Sequence, residues 1–286
     1  MNDSLAGLRL AQQFQGDPTL MSNLLAQAMS GIAMQPVWEG LSAHAWTEPQ
    51  IAQLQDELGR FDLVASFRRA IESERVFMAL GGEDEARKSA WQETRDSAWS
   101  LDGSGELRID RLKAIRLWLL IPSGWQYQSM KQVDRFYAEG YLPALDPETH
   151  AIHLAALLRS VSRNDDAFFN RTNGAASGML ASQAVRVAFH QNALDEARIV
   201  CALERHRLAH GAYPANLDAL VPAYLDRIPV DVLEGGALRY RRESPTAFRL
   251  YSLGPDGQDG GGEAAIGKEG GMDIEHGDWA WPQPAR

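Results

Sequence analysis

Oxygen-rich side chains crowd the end of this chain. Between Tyr251 and Arg286 stand Asp256, Asp259, Glu263, Glu269, Asp273, Glu275 and Asp278, opposed by Lys268 and Arg286 alone. Half of the net charge of −10 lies in this stretch, and so do nine of the 25 glycines. Calcium needs six to eight hard oxygen ligands from carboxylates, carbonyls and water, on backbone that can bend sharply. A glycine-rich loop with spaced aspartates supplies both. On the residues alone, an acidic solvated loop that binds nothing is the simpler reading.

Other patterns carry less chemistry. Gly262 to Lys268 spells G-x-x-x-x-G-K, but Glu269 stands where a phosphate-binding loop has its magnesium-binding hydroxyl, and the neighbouring carboxylates would repel phosphate. His206 and His210 share a helix face at zinc-binding spacing, yet Arg207 occupies the place of a metalloprotease glutamate. They read as exposed histidines near a helix C-terminus, where the dipole favours positive charge. His150 and His153 lack a further partner at ligand spacing. No G-x-S-x-G elbow is present, and Cys201, set among Val200, Ala202 and Leu203, reads as a buried, inert thiol.

The elements that position these residues follow from periodicity. Asp17, ahead of Pro18, is the expected N-cap of an amphipathic helix carrying Leu20, Leu24, Leu25, Ala28, Met29, Ile32 and Ala33. Thr47, Pro49 and Gln50 form a capping-box start for a helix that ends at Gly59, and a third helix runs from Asp62 to Gly81-Gly82. Trp38, Trp46, Trp91 and Trp99 fill the gaps between these helices. Asp102 to Gly105 reads as a loop, Arg111 to Ile121 and Tyr127 to Glu139 as helices, Pro143 to Pro147 as a turn, and Asn164 to Gly174 as a surface loop. From Ser177 to His210 a single long helix is expected, stopped by Gly211. Leu238 to Arg241 and Ala247 to Tyr251 alternate with period two and read as an antiparallel pair.

Composition bounds the rest. At 286 residues, 45% apolar and 23% charged, the chain is globular and of two-domain length. The longest apolar runs, such as Leu117 to Ile121, are far short of the about 20 residues of a membrane span. The start, Met1-Asn2-Asp3-Ser4, lacks the basic stretch and apolar core of a secretory signal, so a cytoplasmic protein or a piece of a longer product is expected. A single cysteine excludes an intrachain disulfide, and the acidic balance argues against nucleic-acid binding.

The order of a long helix, His210-Gly211-Ala212-Tyr213-Pro214, a short helix, two strands and Tyr251-Ser252-Leu253-Gly254-Pro255-Asp256-Gly257 resembles the C-terminal half of the major pseudopilin of type II secretion systems. The resemblance covers about residues 196 to 286. It implies a structural calcium ion held by the Leu253 carbonyl, Asp256 and Asp273, with Asp259 and Asp278 as possible additions, and a place in the bacterial envelope. The chain departs from that family before the match: some two hundred residues of Trp-containing helical sequence stand where a pseudopilin has its leader and membrane-anchoring helix. The loop from Glu263 to Gly271 is also longer than the family pattern.

The expectation is therefore an α+β protein. Residues 1–175 form an all-helical domain, and residues 176–286 a pseudopilin-like module in which a long helix packs on a small antiparallel sheet with a Gly/Asp-rich loop. The corresponding function is a non-enzymatic interaction or scaffold protein of the envelope, with a protein partner and a calcium-stabilised C-terminal module. The alternative is a hydrolase with an acidic cleft between the helical domain and the loop.

Overall fold

The computed structural model describes residues 1–77, 99–101, 107–109, 131, 134–165, 174–233, 235–267 and 272–281. Trp91, the end of the third helix at Gly81-Gly82, the loop at 102–105, the helix expected over 111–121 and most of the loop expected over 164–174 lie outside these residues. The described residues make an α+β fold. Among them, no helix is long and apolar enough to cross a membrane.

Helices α1 (Asn2–Phe14), α2 (Leu20–Ser42), α3 (Glu48–Leu58) and α4 (residues 63–77) come first. The cap of α2 is Thr19, not Asp17: the Thr19 hydroxyl accepts the Ser22 amide at 3.1 Å. Pro18 separates the two candidates, and Asp17 instead accepts the Ser22 hydroxyl at 2.5 Å. The Gln50 side chain reaches back to the Thr47 amide at 2.9 Å, as the capping pattern requires. Gly59 does end α3, but its φ of −65° is one that any residue adopts. Asp62 caps α4 by accepting the Ala65 amide at 2.8 Å. A Cβ on Gly40 would overlap the Trp46 indole, so that glycine lets the aromatic ring close the corner between α2 and α3.

Two short antiparallel pairs interrupt the stretch expected to be all-helical: β1 (Trp99–Leu101) with β2 (Leu107–Ile109), and β3 (Leu145–Asp146) with β4 (Ala151–Ile152). The second is made by its turn. Asp146 Oδ1 accepts the amides of Glu148 and Thr149 at 2.8 and 3.3 Å, and His150 adopts a φ of +56°. The described end of the helix expected over 127–139 is a single π-type turn, Phe136–Tyr141. Helix α5 (Leu154–Asp165) follows the second pair.

Helix α6 (Gly174–His210) is the axis of the molecule. Ile199, Val200, Cys201, Ala202 and Leu203 are all buried. Five consecutive positions exceed the 3.6 residues of one turn, so the helix is covered on every side there. Helices α2, α3 and α5 pack on it, as does the C-terminal sheet. Gly211, at φ +78°, ends it in the left-handed conformation that glycine adopts without strain.

A 3-10 turn (Leu217–Leu220) leads to β5 (Arg239–Ser244) and β6 (Ala247–Ser252), close to the expected strands. The acidic segment then folds as a hairpin of β7 (Ala264–Ile266) and β8 (Met272–Gly277), and β9 (Trp279–Trp281) pairs antiparallel with β6. Strand β9 is wholly buried. Its Trp279 meets Phe189 of α6 edge-on at 5.3 Å, and its Trp281 meets Trp38 of α2 at 6.3 Å. One continuous apolar cluster therefore reaches from Leu5 to Trp281. Leu203→Ala is expected to cost about 2–5 kcal/mol. In a calorimetric scan the whole protein should still melt in a single, lowered transition; two separated transitions would show that residues 1–175 and 176–286 are independent units.

Candidate functional site

Strand β6 delivers Leu253 and Asp256, the β7–β8 hairpin carries Asp273, and Asp278 precedes β9. The bend that starts the loop rests on a close backbone approach. Gly254 has a φ of +67°, and a Cβ there would overlap the Gly277 carbonyl. Asp256 joins the two ends of the segment: its Oδ1 accepts the Gln258 amide at 3.0 Å and its Oδ2 the Gly277 amide at 3.1 Å. These amides hold its carboxyl below the usual range. Asp259 Oδ1 accepts the Gly261 amide at 3.0 Å and the Tyr251 hydroxyl at 2.9 Å, with the same result. Asp273 accepts the Glu275 amide at 3.0 Å and lies 3.0 Å from His276 Nδ1, and is lowered likewise.

Asp278 differs. It is fully buried; Oδ2 accepts the Gly262 amide at 2.6 Å, while Oδ1 has no hydrogen-bond partner. The donor types suit a hard cation, and the orphaned Oδ1 is a spare ligand atom. Yet among the described residues no three His, Cys, Asp or Glu side chains come together closely enough to hold a metal. As placed, Asp256, Asp259 and Asp273 each bond an amide of their own turn, while Asp278 holds the Gly262 amide across the hairpin. The G-x-x-x-x-G-K pattern is consumed by the same hairpin: the Gly262 amide, which would face a phosphate, faces Asp278 instead, and Lys268 lies outside the described residues.

His206 and His210 stack at 4.2 Å, and their Nδ1 atoms lie 3.0 Å from the Ala212 and His206 carbonyl oxygens. His150 lies 3.0 Å from Asp62. Burial pushes the Cys201 thiol well up, as an inert thiol requires.

The acids of α6 were not singled out by sequence, although Asp195, Glu196 and Glu204 punctuate its apolar run. Glu204 is 2% exposed and accepts from Arg207 at 2.6 and 2.9 Å and from the Tyr213 hydroxyl at 3.0 Å, with His44 Nδ1 at 2.9 Å. Burial alone would raise its carboxyl; Arg207, Tyr213 and His44 outweigh that and hold it low. Glu196 has the opposite surroundings. It has no exposed surface, and neither carboxyl oxygen has a hydrogen-bond partner. Next to it, Asn192 bonds Asp231 Oδ1 and the Val232 amide, each at 2.9 Å. Burial, then the charges of Asp231 and Asp195, drive Glu196 well above its usual value. Sealed from solvent, it meets no substrate.

No protein-family model, curated protein or solved structure matches the chain.

The acids of α6 set a direction for stability with pH. Asp195 rises from 3.8 to about 6, chiefly by burial. Folding therefore retains protons that the unfolded chain has released, and the stabilisation present below pH 4 is lost as pH rises to about 6, at most about 3 kcal/mol for Asp195. Glu196 adds a loss of the same sign that begins near pH 4.5. Glu196→Gln is expected to flatten the fall between pH 4.5 and 8 and to raise the denaturation midpoint at pH 8. A urea titration series checks this, and an unchanged pH slope would remove Glu196 as its source.

Proposed function

We propose that the protein is a non-enzymatic interaction or scaffold protein of the bacterial envelope whose C-terminal third is a pseudopilin-like module stabilised by calcium. The observation that carries this reading is an order of parts. One long helix ends at Gly211, and the chain turns at Tyr213-Pro214, where the Tyr213 amide bonds the Pro245 carbonyl of the hairpin at 2.9 Å. The β5–β6 hairpin, a Gly/Asp-rich segment and a closing strand then follow, and that strand packs Trp279 back on the helix. Up to the Gly/Asp-rich segment, this is the order of elements that the resemblance to the major pseudopilin implies; the closing strand is an addition to it.

Calcium would act on the loop as a structural ion, through the Leu253 carbonyl, Asp256 and Asp273, with Asp259 and Asp278 at hand. It would offset the repulsion among these carboxylates and fix the segment to the sheet. The chain's own part is to bring Asp256 against the Gly277 amide, which already closes the segment on itself.

A ligand at 100 times its dissociation constant adds about 2.7 kcal/mol. Thermal unfolding in chelator, in excess calcium and in excess magnesium should thus show a rise of several degrees in calcium alone. Asp256→Asn should abolish the calcium-induced rise, whatever it does to the midpoint in chelator. A melt that ignores both cations removes the metal assignment.

A further inference from the structure

The end of α6 carries two imidazoles, His206 and His210, four residues apart. Residues at that spacing lie one above the other on a helix face. The two rings stack with their centroids 4.2 Å apart and their planes 21° from parallel. The Tyr224 ring stands roughly perpendicular to both, at 5.8 and 6.5 Å. That tyrosine is itself held in place: its amide donates to the Leu220 carbonyl at 2.8 Å, its carbonyl accepts from Gln55 Nε2 at 2.5 Å, and Arg205 lies 5.4 Å over its ring. The imidazole pair therefore rests against a fixed wall.

The main chain decides which nitrogen of each ring is free. His206 Nδ1 lies 3.0 Å from the Ala212 carbonyl oxygen, and His210 Nδ1 lies 3.0 Å from the His206 carbonyl oxygen. A carbonyl oxygen only accepts, so both Nδ1 atoms carry a proton, and in the neutral rings both Nε2 atoms keep the lone pair. The two nitrogens of an imidazole point in nearly opposite directions. With each Nδ1 turned to the backbone, each Nε2 is turned away from it, and neither Nε2 has a hydrogen-bond partner among the described residues. A histidine whose Nδ1–H is tied to a carbonyl has the tautomer and ring orientation of a metal ligand already set.

We propose that His206 and His210 bind a divalent transition-metal ion such as zinc through their Nε2 atoms, with water in the remaining positions. Imidazole nitrogen suits zinc, copper and nickel, whereas calcium and magnesium take oxygen ligands. Arg207, in the place of a metalloprotease glutamate, removes the general base of that chemistry but neither ligand. Its guanidinium is turned to Glu204 at 2.6 and 2.9 Å, and that of Arg205 to Glu48 at 2.8 Å, so both neighbouring cations are already paired. The C-terminal end of the helix dipole also favours positive charge. Two protein ligands make an open site, and chelation across one turn staples the end of α6 just before Gly211. None of these residues lies in the acidic loop, so the site is separate from the calcium module.

The test is calorimetric titration of the full chain, without a histidine tag, with zinc chloride in excess calcium, alongside nitrogen-15 spectra of the imidazoles. One zinc ion should bind per chain and move the Nε2 signals of His206 and His210 while their Nδ1 protons stay in place. His210→Gln, a change at an exposed side chain, should lower the affinity about tenfold or more, and His206→Gln should do the same. His276→Gln, which removes the imidazole beside Asp273 in the acidic hairpin, should leave the affinity unchanged. Saturating zinc should raise the melting midpoint of the unaltered chain and of His276→Gln, but not that of His210→Gln. Should His206→Gln fail to fold, His210→Gln and the spectra carry the test. Full affinity in His210→Gln, zinc binding lost in His276→Gln, or Nε2 signals that do not move overturns the proposal.

Discussion

A helix with five successive apolar positions cannot have a wet face, and everything else in this protein follows from covering α6. An ordinary surface helix shows an apolar stripe and leaves the rest to solvent. Here Ile199 to Leu203 occupy more than a turn, so one partner layer is not enough. Helices α2, α3 and α5 cover part of the circumference and the β5–β6–β9 sheet covers the remainder. Strand β9 completes the enclosure with Trp279 on α6 and Trp281 on Trp38 of α2. The first and last thirds of the chain are thus two sides of one enclosure.

Burying a helix so thoroughly leaves its polar residues with two outcomes. Glu204 lies where the corner at His44 and the turn at Tyr213 converge, and it collects donors from both. Such a satisfied carboxylate fixes how the surrounding segments meet, because any other arrangement leaves a buried charge unpaired. Glu196 lies where the helix faces the 231–233 segment and the sheet; the Ser252 amide lowers its carboxyl slightly, but neither oxygen has a well-formed hydrogen bond. Burial and the neighbouring acids favour its neutral form, and the unmade hydrogen bonds are a cost that the apolar contacts around it must outweigh.

Local signals were legible wherever the backbone decides the outcome. The long helix, its glycine stop, the capping box at Thr47 and the two strands after Leu238 all rest on period or on turn chemistry, which neighbours read directly. What escaped turns on finer local detail than a residue pattern carries. Thr19 rather than Asp17 caps α2, and the strand pairs within the first 175 residues are short enough that turns, not periodicity, define them. The acidic loop shows the limit most clearly. Aspartate two residues before an amide makes a turn, and aspartate near other aspartates makes a cation site; the same spacing serves both. Asp256, Asp259 and Asp273 all take the first role here, and the sequence pattern alone does not distinguish the two.

The enclosure of α6 has a consequence for synthesis of the chain. Helices α1 to α3 leave the ribosome long before the helix on which they pack. At about 5–20 residues per second, the roughly 150 residues between the end of α2 and the middle of α6 take about 8–30 s to make. Throughout that interval, surfaces such as Val37, Leu54 and Leu58, buried in the finished protein, have no permanent cover. Final packing of these surfaces therefore waits until α6 and strand β9 have emerged.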